Sequence, residues 1–539
     1  MKIKSVLLSL WTFAGLVSAA PADGVWSDVI PLPLSPISGA VSPTGELLMW
    51  SGNAPGGWIH NFKDPNGNRT YYSVFSVDDF LGRRPIALQV AFTTEMFCPG
   101  TSNLPNGEIL VNGGSGPFAT IVFDPRTKTF RNTPMMKIAR GYQANVVTTG
   151  DKVFTVGGSF PRLYGDYWLG NRDGELMDAN FQWTVLPAVK GDIIGGMENG
   201  SPNPDPQGIY RSDNHAWLFS YKNNVGEDMV FHAGPVTKMH LINTNRNTMV
   251  PIGARGTDTY SMNGNAVHYS PSRIFKSGGA IAYGDLASSV GLPTKREAYQ
   301  IRIDKLPTGG LPFVRPLANM VNPRAFAHSI ALPGGQIFIV GGQTNLHLFE
   351  DTNGVLAPEL YNPATNSYQV LAPMKVARNY HSVALLTKYG TIWVGGGGAF
   401  PNACTVPGQA PCSPNVHFNG EVFTPPYLSQ GQIRPVIRGV SGVDAPYGKL
   451  YKLGTDLTVQ ATDCSGKCTY ELIRIASVTH STNNDQLRVP LQVKTRAPAG
   501  DVMAVWVTDH PFIMSGYYYL FAIGQNGAPS VAATVQLLR

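Results

Sequence analysis

The chain has 539 residues, only 14% of them charged, and a formal net charge of +6 at pH 7. The charge is spread thinly and includes no run of Lys or Arg, so the composition argues against a nucleic-acid partner. The 59 Gly and 42 Pro residues are typical of many short strands joined by turns. The length is sufficient for more than one domain.

Residues 1–20 have the pattern of a secretory signal peptide. Lys2 and Lys4 precede an apolar run, and the small residues Ser18 and Ala19 follow it. The run is too short and wrongly flanked for a membrane span, and no later segment offers about 20 consecutive apolar residues. We therefore expect a secreted, extracellular protein without a membrane partner.

A turn, a short apolar strand and a glycine pair or near-pair then recur along the chain. The copies are PTGELLMWSGN from residue 43, PNGEILVNGGS from 105, TGDKVFTVGGS from 149, VFHAGP from 230, RIFKSGGA from 273, PGGQIFIVGGQ from 333 and KYGTIWVGGGG from 388. Repeats of about 50 residues are typical of kelch-type propellers, in which each repeat forms one four-stranded blade. The sequence therefore predicts a seven-bladed kelch-type β-propeller over residues 21–430, with six blades as the alternative count.

Residues 431–539 lack the glycine pairs and alternate short strands such as KLGTDLTVQAT and VMAVWVTD. About 105 residues of this kind suit a small immunoglobulin-like β-sandwich. The expected fold is thus all-β throughout.

The cysteines divide into two close pairs and a remainder. Cys404 and Cys412 bracket one short loop, and Cys464 and Cys468 bracket another. In an oxidising compartment each pair predicts a local disulfide. Cys98, in EMFCPG, is left as either a buried free thiol or a modified or reactive sulfur.

Four segments carry candidate functional residues: MFCPG around Cys98, ARGYQ around Tyr142, RNYHS around Tyr380 and His381, and VTHSTNNDQLRVP around His480. Taken singly, a Tyr or His in a strand-rich domain is more often a packed core residue. Neighbouring side chains of a strand point to opposite faces. If Tyr380 and His381 serve one site, the strand must end or bend there.

Together with YRSDNHAWLF from residue 210 and GGGG from residue 395, these segments occur in an order that resembles galactose oxidase and its relatives, the fungal copper radical oxidases. The resemblance covers nearly the whole mature chain. It implies a thioether bond between Cys98 and Tyr142, which accounts for the fifth cysteine. It also implies one copper ion held by Tyr142, Tyr380, His381 and His480.

The resemblance further implies oxidation of a primary alcohol to an aldehyde. Two imidazoles and phenolate oxygen suit Cu(II), and a thioether-linked tyrosine holds a radical that stores the second electron. Tyr380 would accept the hydroxyl proton, the radical on Tyr142 and Cys98 would take a hydrogen atom from the carbinol carbon, and O2 would be reduced to hydrogen peroxide. An activating peroxidase is left open as a further partner.

The pocket departs from the galactose oxidase pattern in two positions. The family's stacking tryptophan is Phe160 here, and a glutamine that helps to read galactose is Gly284. The sugar-contacting arginine is kept as Arg211, and Phe326 and Phe349 match pocket aromatics. Loss of an indole and an amide makes the pocket less polar, which favours aryl or aliphatic primary alcohols over sugars.

Three alternatives remain. A galactose or galactoside 6-oxidase is favoured by Arg211 and opposed by Phe160 and Gly284. A glyoxal oxidase is opposed by the YRSDNHAWLF segment. A kelch propeller that only binds a partner is compatible with the fold, because propellers host many functions, but it would not need all five cofactor residues.

Overall fold

The computed structural model describes residues 22–57, 68–158, 172–191, 215–282, 291–398, 414–428, 432–464, 467–496, 502–506 and 509–539. Nearly all regular structure in these ranges is β-strand, and α1 (Val77–Leu81) is a short α-helix among them. The Ser76 side chain caps α1 by accepting a hydrogen bond from the backbone N–H of Asp79. No helix in the described ranges is long and apolar enough to cross a membrane.

The first two blades follow one another along the chain. The strands from the N-terminus are β1 (Val25–Trp26), β2 (Ile30–Pro31), β3 (Ser38–Val41), β4 (Leu47–Trp50), β5 (Thr70–Phe75), β6 (Gln89–Ala91), β7 (Gly100–Asn103), β8 (Ile109–Asn112), β9 (Thr120–Asp124) and β10 (Thr129–Asn132). Strands β3 to β6 form one antiparallel sheet and β7 to β10 the next. Both sheets begin with fully or largely buried strands, and β10 at the end of the second is mostly exposed, whereas β6 at the end of the first is partly buried.

Three further blades occupy the middle of the chain. Their strands are β11 (Ala144–Val147), β12 (Val153–Val156), β13 (Gly174–Met177), β14 (Trp183–Leu186), β15 (Trp217–Lys222), β16 (Asp228–Gly234), β17 (Lys238–Asn243), β18 (Thr248–Ala254), β19 (Asn265–Ser270), β20 (Arg273–Ser277), β21 (Leu292–Pro293), β22 (Ala298–Arg302) and β23 (Phe313–Pro316). The sheet orders are β11-β12-β13-β14, β15-β16-β17-β18 and β19-β20-β22-β23.

The last two blades close the propeller. Their strands are β24 (Ala325–Ala331), β25 (Ile337–Gln343), β26 (Asn345–Leu346), β27 (Glu359–Asn362), β28 (Ser367–Val370), β29 (Ser382–Leu386), β30 (Ile392–Gly396) and β31 (Asn419–Thr424). β24, β25, β27 and β28 form one sheet, while β29 to β31 are completed by β1 and β2 from the N-terminus. The described residues thus contain seven blades, which confirms the predicted propeller.

The glycine pairs lie where the ends of inner strands meet neighbouring loops. Gly114 has φ of +88°, and a Cβ there would lie 2.3 Å from the carbonyl oxygen of Phe97. The equivalent Gly342 has φ of +83°, with a Cβ position 2.5 Å from the carbonyl oxygen of Ala325. Only glycine permits both this backbone conformation and this approach. The first of these contacts places the loop after β8 directly against the segment that carries Cys98.

The C-terminal part is a β-sandwich. Its strands are β32 (Val436–Val440), β33 (Val443–Ala445), β34 (Gly448–Lys452), β35 (Asp456–Thr462), β36 (Thr469–Arg474), β37 (Ser477–Thr479), β38 (Arg488–Arg496), β39 (Val502–Trp506), β40 (Gly516–Ile523) and β41 (Ala533–Leu538). The first half of β38 pairs with β36 and its second half with β39, so this strand joins the two layers. Apolar residues from both layers enclose a core that includes Leu457, Leu472 and Leu520.

Strand β37 leaves the sandwich and joins the propeller. It pairs antiparallel with β3, the inner strand of the first blade, with Thr479 opposite Ser38. The residue that follows β37 is His480. The pairing therefore fixes the position of this histidine along the inner strand of the first blade.

Candidate metal centre

The turn between β37 and β38 is fastened to the inner strands around the propeller axis. Asn484 Nδ2 donates to the carbonyl oxygens of Asn145 and Ala216, at 2.9 and 3.1 Å. Asp485 Oδ2 accepts the backbone N–H of Asn103 at 2.8 Å. Further bonds join Ser481 to Asn265 and Gln486 to Ala331. With the β37–β3 pairing, this one turn contacts six successive blades, so its position is defined from all sides.

His480 is held by its Nδ1 atom. That nitrogen lies 2.7 Å from Thr479 Oγ1, which in turn lies 2.8 Å from Ser38 Oγ. The residue has φ of 48°, a left-handed conformation that turns its side chain out of the strand direction. Its Nε2 is buried and has no hydrogen-bond partner among the described residues. Because buried polar atoms are normally paired, the free Nε2 is the atom available to a metal ion.

Cys98 and Tyr142 come from loops of neighbouring blades. The backbone N–H of Tyr142 donates to the carbonyl oxygen of Cys98 at 2.9 Å. Both residues have left-handed φ, 56° and 61°. Cys98 is a buried cysteine outside any disulfide. The two side chains therefore belong to one site although they are 44 positions apart in sequence.

Tyr380 and His381 precede β29 rather than lying within it. His381 has φ of 66°, which breaks the alternation of a strand and lets adjacent side chains face the same way. Their ring centroids are 3.8 Å apart with an interplanar angle of 28°. Both side chains are 1% exposed. The bend that the sequence required for a shared site is present at this position.

Buried arginines precede three of these segments. They are Arg140 before Tyr142, Arg324 before Phe326 and Arg378 before Tyr380. Each pairs with a buried glutamate of its own blade: Glu175 at 2.9 Å, Glu359 at 2.6 Å and Glu421 at 3.2 Å, respectively. Each also donates to the carbonyl oxygen of a repeat glycine: Gly157, Gly341 and Gly396. The blades thus use the same ionic anchor to hold the loops that carry the site residues.

The histidines and the cysteine converge at one point. One ligand atom each from Cys98, His381 and His480 lie within 4.8 Å of one another, and Cys98 Sγ is 3.8 Å from His381 Nε2. The His480 ring centroid is 4.9 Å from those of His381 and Tyr142 and 5.5 Å from that of Tyr380. The five predicted cofactor residues therefore surround a common space.

This space suits copper. Burial, reinforced by the neighbouring His215 and His381, lowers the pKa of His480 well below its usual value, so the imidazole is neutral and can donate a lone pair. Imidazole nitrogen and phenolate oxygen are the donors that Cu(II) prefers. The unpaired Nε2 of His480 and the clustered donor atoms agree with a site for one such ion.

Aromatic rings cover the tyrosine and histidine pair. The Phe326 centroid lies 4.6 Å from that of Tyr380. Phe349 lies 5.1 Å from Tyr380 and 5.7 Å from His381. Phe326 is fully buried, whereas Tyr142 and Phe349 keep partial exposure. The centre therefore borders solvent on the side of these last two rings.

One of the two predicted disulfides is confirmed, and several other predicted residues lie outside the described part of the chain. Cys464 and Cys468 form the predicted disulfide. Phe160, Arg211 and Gly284, together with Cys404 and Cys412, lie outside the described residues.

The sequence reasoning missed two neighbours of the site. Phe97 packs edge-on against His381 with centroids 5.2 Å apart. His215 stacks on His480. Phe97 lies in MFCPG and His215 in YRSDNHAWLF, two segments that carry the family resemblance. The sequence of either segment does not show where the side chain packs.

The fold and the site define a β-propeller enzyme scaffold with a buried centre for a single metal ion. A domain family described as galactose oxidase-like, early set domain, matches residues 434–537. Galactose oxidase of Gibberella zeae is 31% identical over 557 aligned residues, which cover 98% of this chain and 73% of that protein. An aldehyde oxidase of Arabidopsis thaliana is 26% identical over 41% of this chain and 36% of its own length.

A solved structure shows the same likeness in three dimensions. It is described as a novel fungal alcohol oxidase with catalytic diversity among the AA5 family, in complex with copper. It is 32% identical, with a TM-score of 0.80, over 96% of this chain and 100% of that one. The chain belongs to the galactose oxidase-like family, as its sequence motifs predicted.

Proposed function

We propose that the protein is a copper radical oxidase that converts primary alcohols to aldehydes and reduces O2 to hydrogen peroxide. The observation that carries the proposal is the convergence of Cys98, Tyr142, Tyr380, His381 and His480, from four separate segments of the chain, on one buried point. A propeller that only binds a partner would not require this constellation. Membership of the galactose oxidase-like family supports the same conclusion.

His381 and His480 would hold copper through neutral imidazole nitrogens, and Tyr142 and Tyr380 through phenolic oxygens. When bound, copper supplies a one-electron acceptor and a Lewis-acidic position for the alcohol oxygen. The stack of Tyr380 on His381 and the hydrogen bond from His480 Nδ1 to Thr479 Oγ1 restrict the rings. Such supporting contacts orient metal ligands and tune the metal.

The chain's residues remove two protons and one electron from the alcohol, and bound copper would accept the second electron. Tyr380 accepts the hydroxyl proton at its phenolic oxygen, as a general base. A radical on Tyr142, stabilised by a thioether bond to Cys98, accepts a hydrogen atom from the carbinol carbon. The aldehyde leaves, and the two electrons and two protons pass to O2, which gives hydrogen peroxide. Phe326 and Phe349 cover Tyr380 and limit the access of water.

The proposed substrate class is supported by two residues that the resemblance assigns to the pocket. Phe160 stands where galactose oxidase has tryptophan, and Gly284 stands where it has a glutamine. We propose unhindered aryl or aliphatic primary alcohols, because a site without paired polar groups gains little from sugar hydroxyls. Galactose or a galactoside, oxidised at C6, is the second candidate because Arg211 is retained. Phe349, which keeps partial exposure, would contact the substrate's apolar part, whereas Phe326, the other predicted contact, is fully buried against Tyr380.

The arrangement of the chain supports an extracellular role. The Cys464–Cys468 disulfide is typical of an oxidising compartment. We propose residues 1–20 as a signal peptide, 21–430 as the catalytic propeller and 431–539 as a domain that supplies one copper ligand, His480. A peroxidase that restores the radical is proposed as an external partner.

The test is a screen for hydrogen peroxide release by the copper-loaded protein. Benzyl alcohol, 1-butanol, glycerol, galactose and glyoxal would each be supplied with O2, with metal-free protein as the control. The proposal expects copper-dependent peroxide and aldehyde in equal amounts from at least one primary alcohol. If only glyoxal gave peroxide, the protein would be an aldehyde oxidase and not an alcohol oxidase. If no compound gave peroxide, the proposal would be contradicted.

A further inference from the structure

His215 lies against the metal centre without belonging to the predicted ligand set. Its imidazole stacks on that of His480 with centroids 4.6 Å apart and an interplanar angle of 17°. The Tyr142 centroid is 5.9 Å away. The side chain is 5% exposed. A second imidazole thus covers one face of the histidine that the sandwich domain delivers to the propeller.

The segments that carry the two histidines are tied together. His215 is followed at once by Ala216 and then by strand β15. Asn484, four residues after His480, donates to the carbonyl oxygen of Ala216 at 3.1 Å and accepts the backbone N–H of Leu218 at 3.3 Å. These bonds restrict movement of the two segments relative to each other and so support the stack.

A buried histidine is not by itself evidence of function. His268 is 3% exposed, like His215 has an Nε2 without a hydrogen-bond partner among the described residues, and packs edge-on against Phe219 and Phe512. It is an ordinary core residue. His215 differs in one respect, because its ring lies nearly parallel to a predicted metal ligand.

The torsion of an imidazole about its Cβ–Cγ bond has a broad minimum. The hydrogen bond that Nδ1–H of His480 donates to Thr479 Oγ1, the direction that leaves the lone pair on Nε2, anchors one edge of the ring but still permits rotation about that edge. A flat ring stacked on the face opposes this rotation. The direction of the Nε2 lone pair then follows from both contacts together.

We propose that His215 is a positioning residue that fixes the plane of the His480 ring and so aims its Nε2 at the metal ion. The inference rests on the proposed function, since it takes His480 as a copper ligand. It assigns His215 no bond to the metal and no proton transfer. The part that acts is the planar ring.

The experiment compares His215→Phe with His215→Leu. Both replacements are apolar, of similar volume and not β-branched, but only phenylalanine keeps a flat ring against His480. Each purified protein would be loaded with Cu(II), with any radical reduced. The Cu(II) dissociation constant would be measured by competition with a chromophoric chelator, and the metal's geometry by electron paramagnetic resonance. His268→Leu is the matched control for loss of a buried imidazole remote from the centre.

His215→Leu should weaken copper binding about tenfold or more, as is typical when a ligand's supporting contact is removed, and should shift the Cu(II) hyperfine splitting. His215→Phe should stay within about twofold of the parent protein with an unchanged spectrum, since the stack survives. His268→Leu should lower the melting temperature but leave both copper measurements unchanged.

Two results would overturn the inference: parent-like copper binding and spectrum in His215→Leu, or equal impairment in the phenylalanine and leucine variants. Neither depends on turnover. If the parent protein binds copper but releases no peroxide from any alcohol, the proposed function fails while the positioning role is still decided by the spectra.

Discussion

Tyr380 and His381, adjacent in the chain, stack their rings with centroids 3.8 Å apart. Residues next to each other in a strand would point to opposite faces. The left-handed φ of 66° at His381, directly before β29, removes that restriction. The two side chains can therefore face one metal ion, as the proposed function requires of a proton-accepting phenolate and an imidazole ligand.

The role of Tyr380 as a base predicts a separation between metal binding and turnover. In Tyr380→Phe, His381, His480 and Tyr142 remain, so copper should stay bound. The rate of alcohol oxidation should fall at least about 100-fold, as is typical for a lost general base. Metal analysis and steady-state kinetics on the same sample would measure both.

The control for this substitution is Tyr368→Phe in β28. It removes a hydroxyl from a ring that packs on Tyr361, away from the centre. It should keep the parent's turnover. Full activity in Tyr380→Phe would mean that another group accepts the alcohol proton.

The ionic anchor beneath Tyr142 predicts a large loss of stability. Arg140→Met leaves the carboxylate of Glu175, which is fully buried, without its partner. Breaking a buried pair on one side costs about 3–5 kcal/mol, whereas replacing both partners by apolar residues is often neutral. Arg140→Met with Glu175→Leu should therefore be more stable than Arg140→Met alone. Urea denaturation would measure the free energies of unfolding.

An exposed pair supplies the comparison. Arg131 pairs with Glu108 at 2.7 Å, but its side chain is 48% exposed. Arg131→Met should cost no more than about 1 kcal/mol. If this change and Arg140→Met had equal effects, burial would not explain the role of the arginine anchors.

His268 predicts a pH dependence of stability. Burial lowers its pKa from 6.5 to about 3. Between pH 6.5 and about pH 3, this histidine is protonated in the unfolded chain but neutral in the folded chain. Proton binding therefore favours the unfolded chain, and the free energy of unfolding decreases as the pH falls through that range. The slope is about 1.4 kcal/mol per pH unit for one such group. The free energy of unfolding of His268→Phe should fall less steeply with decreasing pH than that of the parent, and parallel curves would show that this histidine is not the group responsible.

Phe160 and Gly284, at positions that the family resemblance assigns to the substrate pocket, predict the order of substrates. With Phe160 and Gly284 in place of an indole and an amide, benzyl alcohol and 1-butanol should each exceed galactose in kcat/KM. One lost hydroxyl contact in a buried site corresponds to about 1–3 kcal/mol, or roughly 5- to 150-fold in rate. Initial rates of peroxide release over a range of concentrations give the comparison. A larger kcat/KM for galactose would favour the second candidate function and leave the copper chemistry unaffected.

The blades could be predicted from the sequence because their strands end in glycines whose backbone no other residue adopts easily. Gly114 and Gly342 are examples, with φ of +88° and +83°. Such positions are local and recur along the chain, although at uneven intervals. The single disulfide of the sandwich was equally local, since Cys464 and Cys468 are only four positions apart.

The assembly of the centre is not local. His480 reaches the propeller axis through the pairing of β37 with β3 and through the contacts of Asn484 and Asp485. Nothing in residues 477–486 alone specifies those partners. Only the resemblance to a known family predicted that His480 shares a site with Tyr142 and His381.

The sequence did not predict the residues that pack against the metal ligands. His215 and Phe97 lie in motif segments, but their rings contact those of His480 and His381 only in the folded chain. The glutamates that pair with Arg140 and Arg378 are more than 30 residues further along. A pattern of residue types does not reveal contacts of this kind.

The most direct test of the copper radical account is the covalent state of Cys98 and Tyr142. Protein expressed without copper would be digested and analysed by mass spectrometry before and after treatment with copper and O2. The account predicts that treatment produces a cross-linked peptide containing both residues, lighter by two hydrogens than the sum of the separate peptides. Unmodified peptides for both residues after treatment would contradict it.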